Sequence, residues 1–163
     1  MRNALQRIAA YLLIAGLLSA CGFTLRGSGA ASLVPQLQEL ELQFEGSNEL
    51  GQLLQRQLQA GGIGIRESSL FRLDLAAEQS RERVVTVNPN IRAGEYELTM
   101  TSAFQLYEAG ELVMDSGPIT AFQIYEADPL NAAAKTLETE LVKDELRQIL
   151  VAQILRSLQR LSL

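Results

Sequence analysis

The chain has 163 residues, with 14 Lys and Arg against 19 Asp and Glu, no His and a single Cys. Without histidine it cannot form a Ser-His-Asp triad or a histidine-ligated metal centre, and one cysteine cannot form an intrachain disulfide. The net charge of −5 argues against a general nucleic-acid-binding surface, so an anionic ligand has to be met by a local group of cations. We expect no cofactor and no metal.

The first 20 residues have the order of charge and hydropathy that is typical of a secretory signal peptide. Arg2 and Arg7 make the start of the chain positive, and residues 8–18 form an apolar run of eleven residues. Because spanning a bilayer takes about 20 apolar residues, this run is too short for a transmembrane helix. We predict a cleaved signal peptide at residues 1–20; the alternative is a buried N-terminal core helix.

The lone cysteine follows this apolar run. Leu18-Ser19-Ala20-Cys21 resembles a bacterial lipobox, which implies lipid attachment at Cys21: diacylglycerol on the sulfur, cleavage before it, and a further acyl chain such as palmitate on the new amine. Three acyl chains anchor a protein firmly, since each buried CH₂ contributes about 0.8 kcal/mol. Gly22, where an Asp would imply retention at the inner membrane, implies the outer membrane of a Gram-negative bacterium. Residues 21–35 predict a tether to a single domain at 36–163.

The first elements after the tether are a strand, a helix and a second strand. Residues 37–44 alternate apolar and polar side chains, as a half-buried strand does. The pair Ser47-Asn48 can cap the following helix, and Gly61-Gly62 can end it. The second strand begins near Leu70 and continues through a bulge into residues 84–87. About 25 residues with a helix separate the two strands, which predicts a crossover and a parallel pair.

Two further strands follow a turn at Asn88-Pro89-Asn90. Residues 96–106 show the clearest alternation of the chain and predict a strand. Residues 108–111 predict a hairpin loop into a last strand at 112–125. Gly117-Pro118 interrupts this last strand, and because Pro cannot donate to a ladder, we predict an edge position.

The C-terminal stretch predicts a long helix. Asp128-Pro129 is typical of a helix start, with Asp as N-cap and Pro at the first helical position. Leu137 and Leu141 begin an apolar stripe, but the apolar residues after them spread around the cylinder. Two accounts stay open: a core helix whose apolar side drifts, or a helix whose far side is buried against a second protein.

The carboxylates give no reason to expect an enzyme. Nineteen of them leave a paired-carboxylate glycosidase formally possible. Most alternate with apolar residues on predicted strands or lie among the charges of the last helix, as solvated carboxylates do.

Several segments together make the chain resemble the LptE family of lipopolysaccharide-assembly lipoproteins. They are Cys21-Gly22-Phe23-Thr24-Leu25-Arg26, Arg92-Ala93-Gly94-Glu95-Tyr96, Asp128-Pro129, Ala134-Lys135 and Leu141-Val142-Lys143-Asp144-Glu145. Their order and spacing agree with the family from Cys21 to the C-terminus, as does the element order β-α-β-β-β-α.

The resemblance implies an α+β fold in which two helices pack on one face of a mixed four-stranded sheet, with the other face left for other contacts. It also implies a non-enzymatic accessory subunit that sits as a plug inside the β-barrel protein LptD, assists barrel assembly and binds lipopolysaccharide during delivery to the cell surface. The alternative is a lipid-anchored binding module of other envelope machinery, associated with peptidoglycan or with barrel assembly.

Binding of lipopolysaccharide calls for cations, because the lipid A head carries phosphates. Arg92 and Lys135 match basic positions of the family's pattern, so the resemblance implies that these two residues bind the ligand. Arg81 and Arg83 flank the strand before Arg92 and are candidates to extend the basic patch. The alternative is that all four are solvated surface charges.

Overall fold

The structure, a computed structural model, describes residues 37–87, 94–128 and 130–160. These residues belong to one compact unit of the chain, Ala31–Leu163. Several predicted features lie outside the described residues: the signal peptide at 1–20, the tether at 21–35 with Cys21, the turn at Asn88-Pro89-Asn90, Arg92 and Pro129.

The described residues form eight strands and two helices. In chain order they are β1 Glu39–Gln43, α1 Glu49–Ala60, β2 Gly64–Ile65, β3 Phe71–Leu75, β4 Gln79–Val87, β5 Gly94–Ser102, β6 Phe104–Glu108, β7 Glu111–Asp115, β8 Ile119–Ala127 and α2 Ala132–Gln159.

The first strand, helix and second strand of this unit agree with the sequence. β1 and β3 are parallel, with Leu42 opposite Leu73, and α1 lies in the crossover between them. α1 is capped by Asn48, whose Oδ1 accepts a hydrogen bond from Gly51 N at 3.1 Å. After α1, Gly62 takes a φ of +84°, which a side chain would disfavour. The alternation pattern gave no sign of the short β2, which pairs in parallel with β1.

The strands form two sheets, one of five strands and one of three. The single four-stranded sheet implied by the resemblance is therefore wrong, both in the number of sheets and in the number of strands. One sheet has the order β2-β1-β3-β6-β7 and the other the order β4-β5-β8. Each of the three later strands expected from the sequence is divided into two, as β3 and β4, β5 and β6, and β7 and β8. β7 and β8 each lie at the edge of their sheet, which confirms the predicted edge position.

An extra residue on each outer strand explains the division. On the side of β3 and β4, residues 76–78 face only residues 102 and 103. On the side of β7 and β8, residues 116–118 face only residues 103 and 104. A strand with an extra residue bends and leaves the ladder locally unpaired, and Gly117, with a φ of +58°, supplies the irregular backbone there.

α2 packs on β5, β8 and α1, and its buried side chains follow a drifting stripe. They recur every four residues, as Val142, Leu146, Leu150, Ile154 and Leu158. Four residues turn a helix by about 400°, so each step moves the stripe by about 40° around the axis. This drift explains the spread of the buried residues, as the first account of this helix expects. Leu137, Leu141 and Ile149 nevertheless remain exposed, as the second account expects.

Two details of the α2 prediction are wrong. The N-cap is Asn131, whose Oδ1 accepts from Ala134 N at 3.1 Å. Asp128 instead closes the preceding turn, because its carboxylate accepts from the amide two residues further on at 2.9 Å. Leu137 and Leu141 do not begin the buried stripe: they are 64% and 57% exposed.

A buried arginine joins α2 to the rest of the unit. Arg147 is 7% exposed, and its Nη2 lies 2.7 Å from Glu78 Oε1 and 2.7 Å from Glu49 Oε2, while Nη1 lies 2.7 Å from Asp144 Oδ1. Burial opposes the charge, but the hydrogen bonds from Arg147 to Glu78 and the surrounding carboxylates hold the pKa of the guanidinium above its ordinary value. The arginine thereby connects α2 to the start of α1 and to the residues between β3 and β4.

Candidate anion-binding site

Lys135, the predicted ligand-binding lysine, lies near the start of α2 above the three-stranded sheet. Its Nζ is 2.6 Å from Glu82 Oε1 on β4 and 3.9 Å from the centroid of the Tyr96 ring on β5. An ammonium over an aromatic face is attracted by the ring quadrupole. Lys135 is therefore a paired and partly covered cation, with 28% of its side chain exposed.

Tyr125 on β8 completes the cluster. It stands opposite Tyr96 in the ladder, with the two ring centroids 5.7 Å apart. Its hydroxyl donates to Glu82 Oε2 at 2.5 Å, and Thr139 Oγ1 lies 2.8 Å from the same hydroxyl. Thr139 Oγ1 also donates to the backbone oxygen of Lys135, at 2.9 Å. Both oxygens of Glu82 are thus occupied, one by Lys135 and one by Tyr125.

The protonation states follow from these contacts. Burial opposes the charge of Glu82, but the hydrogen bonds from Lys135 and Tyr125, together with the lysine charge, hold the pKa of this carboxyl below its ordinary value. Burial and the neighbouring Glu82 carboxylate raise the pKa of Tyr125 to about 12. At neutral pH the cluster therefore consists of a charged carboxylate between an amine donor and a neutral phenol donor.

The structure does not bring Arg81 and Arg83 to this cluster. Side chains alternate along β4, so Glu82 faces α2 while its two neighbours face the opposite side of the sheet. There Arg83 makes two hydrogen bonds to Glu97, at 2.7 and 2.8 Å. Those hydrogen bonds hold the pKa of the Glu97 carboxyl below its ordinary value.

The face of the three-stranded sheet opposite α2 is exposed and mixed in character. It carries the Arg83–Glu97 pair, a contact between Thr101 and Thr120, and two apolar side chains of β8. Those two, Phe122 and Ile124, are 65% and 52% exposed. Because side chains on one face of a strand are two residues apart, these two form a continuous apolar strip on the open face.

Sequence reasoning missed Glu82 and Tyr125 as members of the site. One signal could have placed Glu82: it lies two residues before Val84, so the two side chains share a face if the strand begins as early as Gln79. The predicted strand portion began two residues after Glu82, which left the carboxylate outside it. No local pattern indicated Tyr125, because its role depends on Glu82 and Thr139, which lie 43 and 14 positions away in the sequence.

The described residues contain neither a candidate membrane-spanning helix nor a group of metal-ligating side chains. Across 37–87, 94–128 and 130–160, no helix is both long enough and apolar enough to cross a membrane. In the same ranges no three or more His, Cys, Asp or Glu side chains are grouped so as to hold a metal ion.

Comparison with known proteins assigns the chain to a family. Residues 37–158 match the model of the family LptE, described as lipopolysaccharide-assembly. This chain is a member of the LptE family. A protein of Yersinia enterocolitica named LPS-assembly lipoprotein LptE is 32% identical over 85% of this chain and 68% of its own length. One of the same name from Pectobacterium atrosepticum is 29% identical over 85% of this chain and 76% of its own.

Solved structures agree with the LptE assignment. Rare lipoprotein B from Shewanella oneidensis superimposes with a TM-score of 0.64 and 26% identity, over 73% of this chain and 92% of that one. A minor lipoprotein from Acinetobacter baumannii gives a TM-score of 0.62 over 76% of this chain and 91% of that one, and at 19% identity it shows the fold alone.

Proposed function

We propose that this LptE-family protein is the lipid-anchored accessory subunit of the outer-membrane lipopolysaccharide translocon. In this role it plugs the barrel of LptD, assists assembly of that barrel and binds lipopolysaccharide, without catalysing a reaction. The family match over residues 37–158 carries the proposal. The lipobox around Cys21 supports a lipid anchor, and Gly22 supports the outer membrane as its destination.

The distribution of exposed apolar side chains supports a plug. Phe122 and Ile124 lie on the open face of the three-stranded sheet, whereas Leu137 and Leu141 lie on α2, which packs on the other face. A partner that touches one side would cover only one of these groups. A barrel that encloses the subunit can cover both.

The geometry around Lys135 supports a role in binding lipid A phosphates. The lysine supplies a cation at the surface of an acidic protein, above Tyr96 of β5. Arg92 precedes β5 by two residues in sequence, and its guanidinium suits bidentate binding of phosphate. We propose that Arg92 and Lys135 bind the ligand together.

Co-purification tests the plug. The tagged full chain is extracted from outer membranes in detergent and purified, and a β-barrel protein is expected in equimolar amount. Recovery of the chain without a barrel would refute the plug and favour a lipid-anchored binding module of other envelope machinery. A Cys21→Ser variant, which lacks the sulfur that takes the lipid, serves as control: chain that still co-purifies with a barrel is held by the barrel and not by lipid.

Charge reversal tests the ligand site. Arg92→Glu combined with Lys135→Glu is expected to abolish binding of purified lipopolysaccharide. Arg56→Glu combined with Arg160→Glu makes the same change in net charge at exposed positions elsewhere, and should leave binding unchanged. Unchanged binding in the first variant would refute the site and leave the plug role standing.

A further inference from the structure

We propose that Glu82 is a specificity-determining residue of the lipopolysaccharide site, where it acts as an internal competitor. In the free protein its carboxylate occupies the anion seat, which we define as Lys135 Nζ and Tyr125 Oη. A phosphate group of the ligand takes the same seat and displaces Glu82. This inference rests on the binding role proposed for Lys135.

The seat consists of two donors that converge on one anionic group. Lys135 Nζ reaches Glu82 Oε1 at 2.6 Å, and Tyr125 Oη reaches Oε2 at 2.5 Å. A phosphate monoester also presents several acceptor oxygens on one centre. Both donors can therefore be satisfied by either anion, but not by both at once.

The donors and the carboxylate are held by different parts of the fold. Lys135 lies above the Tyr96 ring, and Tyr125 is fixed by its ladder position and by Thr139. Glu82 lies instead on β4, an edge strand whose only ladder partner is β5 among the described residues. With 30% of its side chain exposed, Glu82 can turn into solvent while both donors stay in place.

Charge decides which anion wins the seat. A phosphate monoester carries about −1.5 to −2 at neutral pH, compared with a single charge on a carboxylate. A ligand with one negative charge has no electrostatic advantage over the Glu82 carboxylate, because Glu82 belongs to the same chain and already lies beside both donors. The seat is thus selective for phosphate groups and rejects carboxylates.

Calorimetric titration of the full chain in detergent micelles tests the proposal. The variant Glu82→Gln keeps the shape of the side chain and removes its charge. We expect it to bind bisphosphorylated lipid A about fivefold more tightly than the wild type, the gain from removing one partly exposed ion pair. Dephosphorylated lipid A should show no gain. An equal gain for both lipids, or a gain for inorganic phosphate without one for lipid A, would overturn the proposal.

Two further variants keep the test interpretable. Glu82→Asp keeps the charge but shortens its reach, so a smaller gain in the same direction is expected; no gain in either variant would overturn the proposal. Glu111→Gln makes the same change in charge as Glu82→Gln at the start of β7 in the other sheet, and should bind as the wild type does.

A double-mutant cycle separates this inference from the proposed function. Lys135→Met should weaken binding of bisphosphorylated lipid A, and in that background Glu82→Gln should add nothing. If Lys135→Met has no effect, the ligand site itself is refuted. If Lys135→Met weakens binding but Glu82→Gln changes nothing in the wild-type background, only the role of Glu82 is refuted.

Discussion

Replacing Arg147 by methionine tests whether the buried ion cluster holds α2 in place. Methionine keeps much of the packed stem and removes the guanidinium, which leaves Glu78 without its cation. The Glu78 side chain is 17% exposed, whereas those of Glu49 and Asp144 are 62% and 67% exposed. Solvent will take over the hydration of the two exposed carboxylates but only in part that of Glu78.

The exposures set the size of the effect. Breaking a fully buried pair costs about 3–5 kcal/mol, and losing an exposed pair costs about 0.2–1 kcal/mol. Because Glu78 lies between these limits, we expect Arg147→Met to lower the free energy of unfolding by about 2–3 kcal/mol. Urea unfolding followed by far-UV circular dichroism measures this loss.

Two companion variants identify the cause. Glu49→Gln removes an exposed partner and should cost under about 1 kcal/mol. Glu78→Gln added to Arg147→Met should recover part of the loss, because it removes the uncompensated carboxylate. A loss below about 1 kcal/mol for Arg147→Met, or no recovery in the double variant, would refute the reasoning.

Three further predictions concern the core, a helix cap and pH. Leu150→Ala should lower the free energy of unfolding by about 2–5 kcal/mol and Leu141→Ala, at an exposed position, by under about 0.5 kcal/mol; equal losses would contradict the drifting stripe. Asn48→Ala should cost about 1–2 kcal/mol in the same assay, through loss of the α1 cap, and Asn48→Gly should cost less. Since the pKa of Tyr125 is raised from 10.0 to about 12, the folded state keeps a proton that the unfolded chain loses, so stability should fall as pH rises through this interval. Tyr125→Phe should flatten that fall, and an unchanged slope would argue against the phenol's contacts.

β1, α1 and β3 could be predicted because each left a local signal. Alternation marked β1, a cap and a glycine pair bounded α1, and the length of the crossover implied a parallel pair. The division into two sheets leaves no mark on the central strand, where every second residue from Met100 to Leu106 stays on the same face. Only the outer strands show it, because an extra residue moves the positions opposite the buried side chains of the central strand from odd numbers in β3 to even numbers in β4. A pattern read from one strand at a time does not show this shift.

The site was predictable only in part, because its members come from four distant segments. Family resemblance indicated Lys135, and the structure places it beside Glu82, Tyr96 and Tyr125. Alternation could give the face of each strand residue, but not which residue of α2 lies above it. That depends on which residue caps the start of the helix, predicted from the sequence as Asp128 and found in the structure as Asn131.

The two proposed roles place opposite demands on Lys135, and Glu82 reconciles them. A plug surface is covered by its barrel, and an unpaired ammonium covered in this way would lose hydration without compensation. A ligand site, in contrast, needs that ammonium available to phosphate. Pairing with a displaceable carboxylate satisfies both demands, since the cation is compensated until a more strongly charged ligand arrives. Glu82→Gln should therefore bind lipid A more tightly and yet yield less complex with the barrel, a combination that co-purification and titration of the same variant can measure.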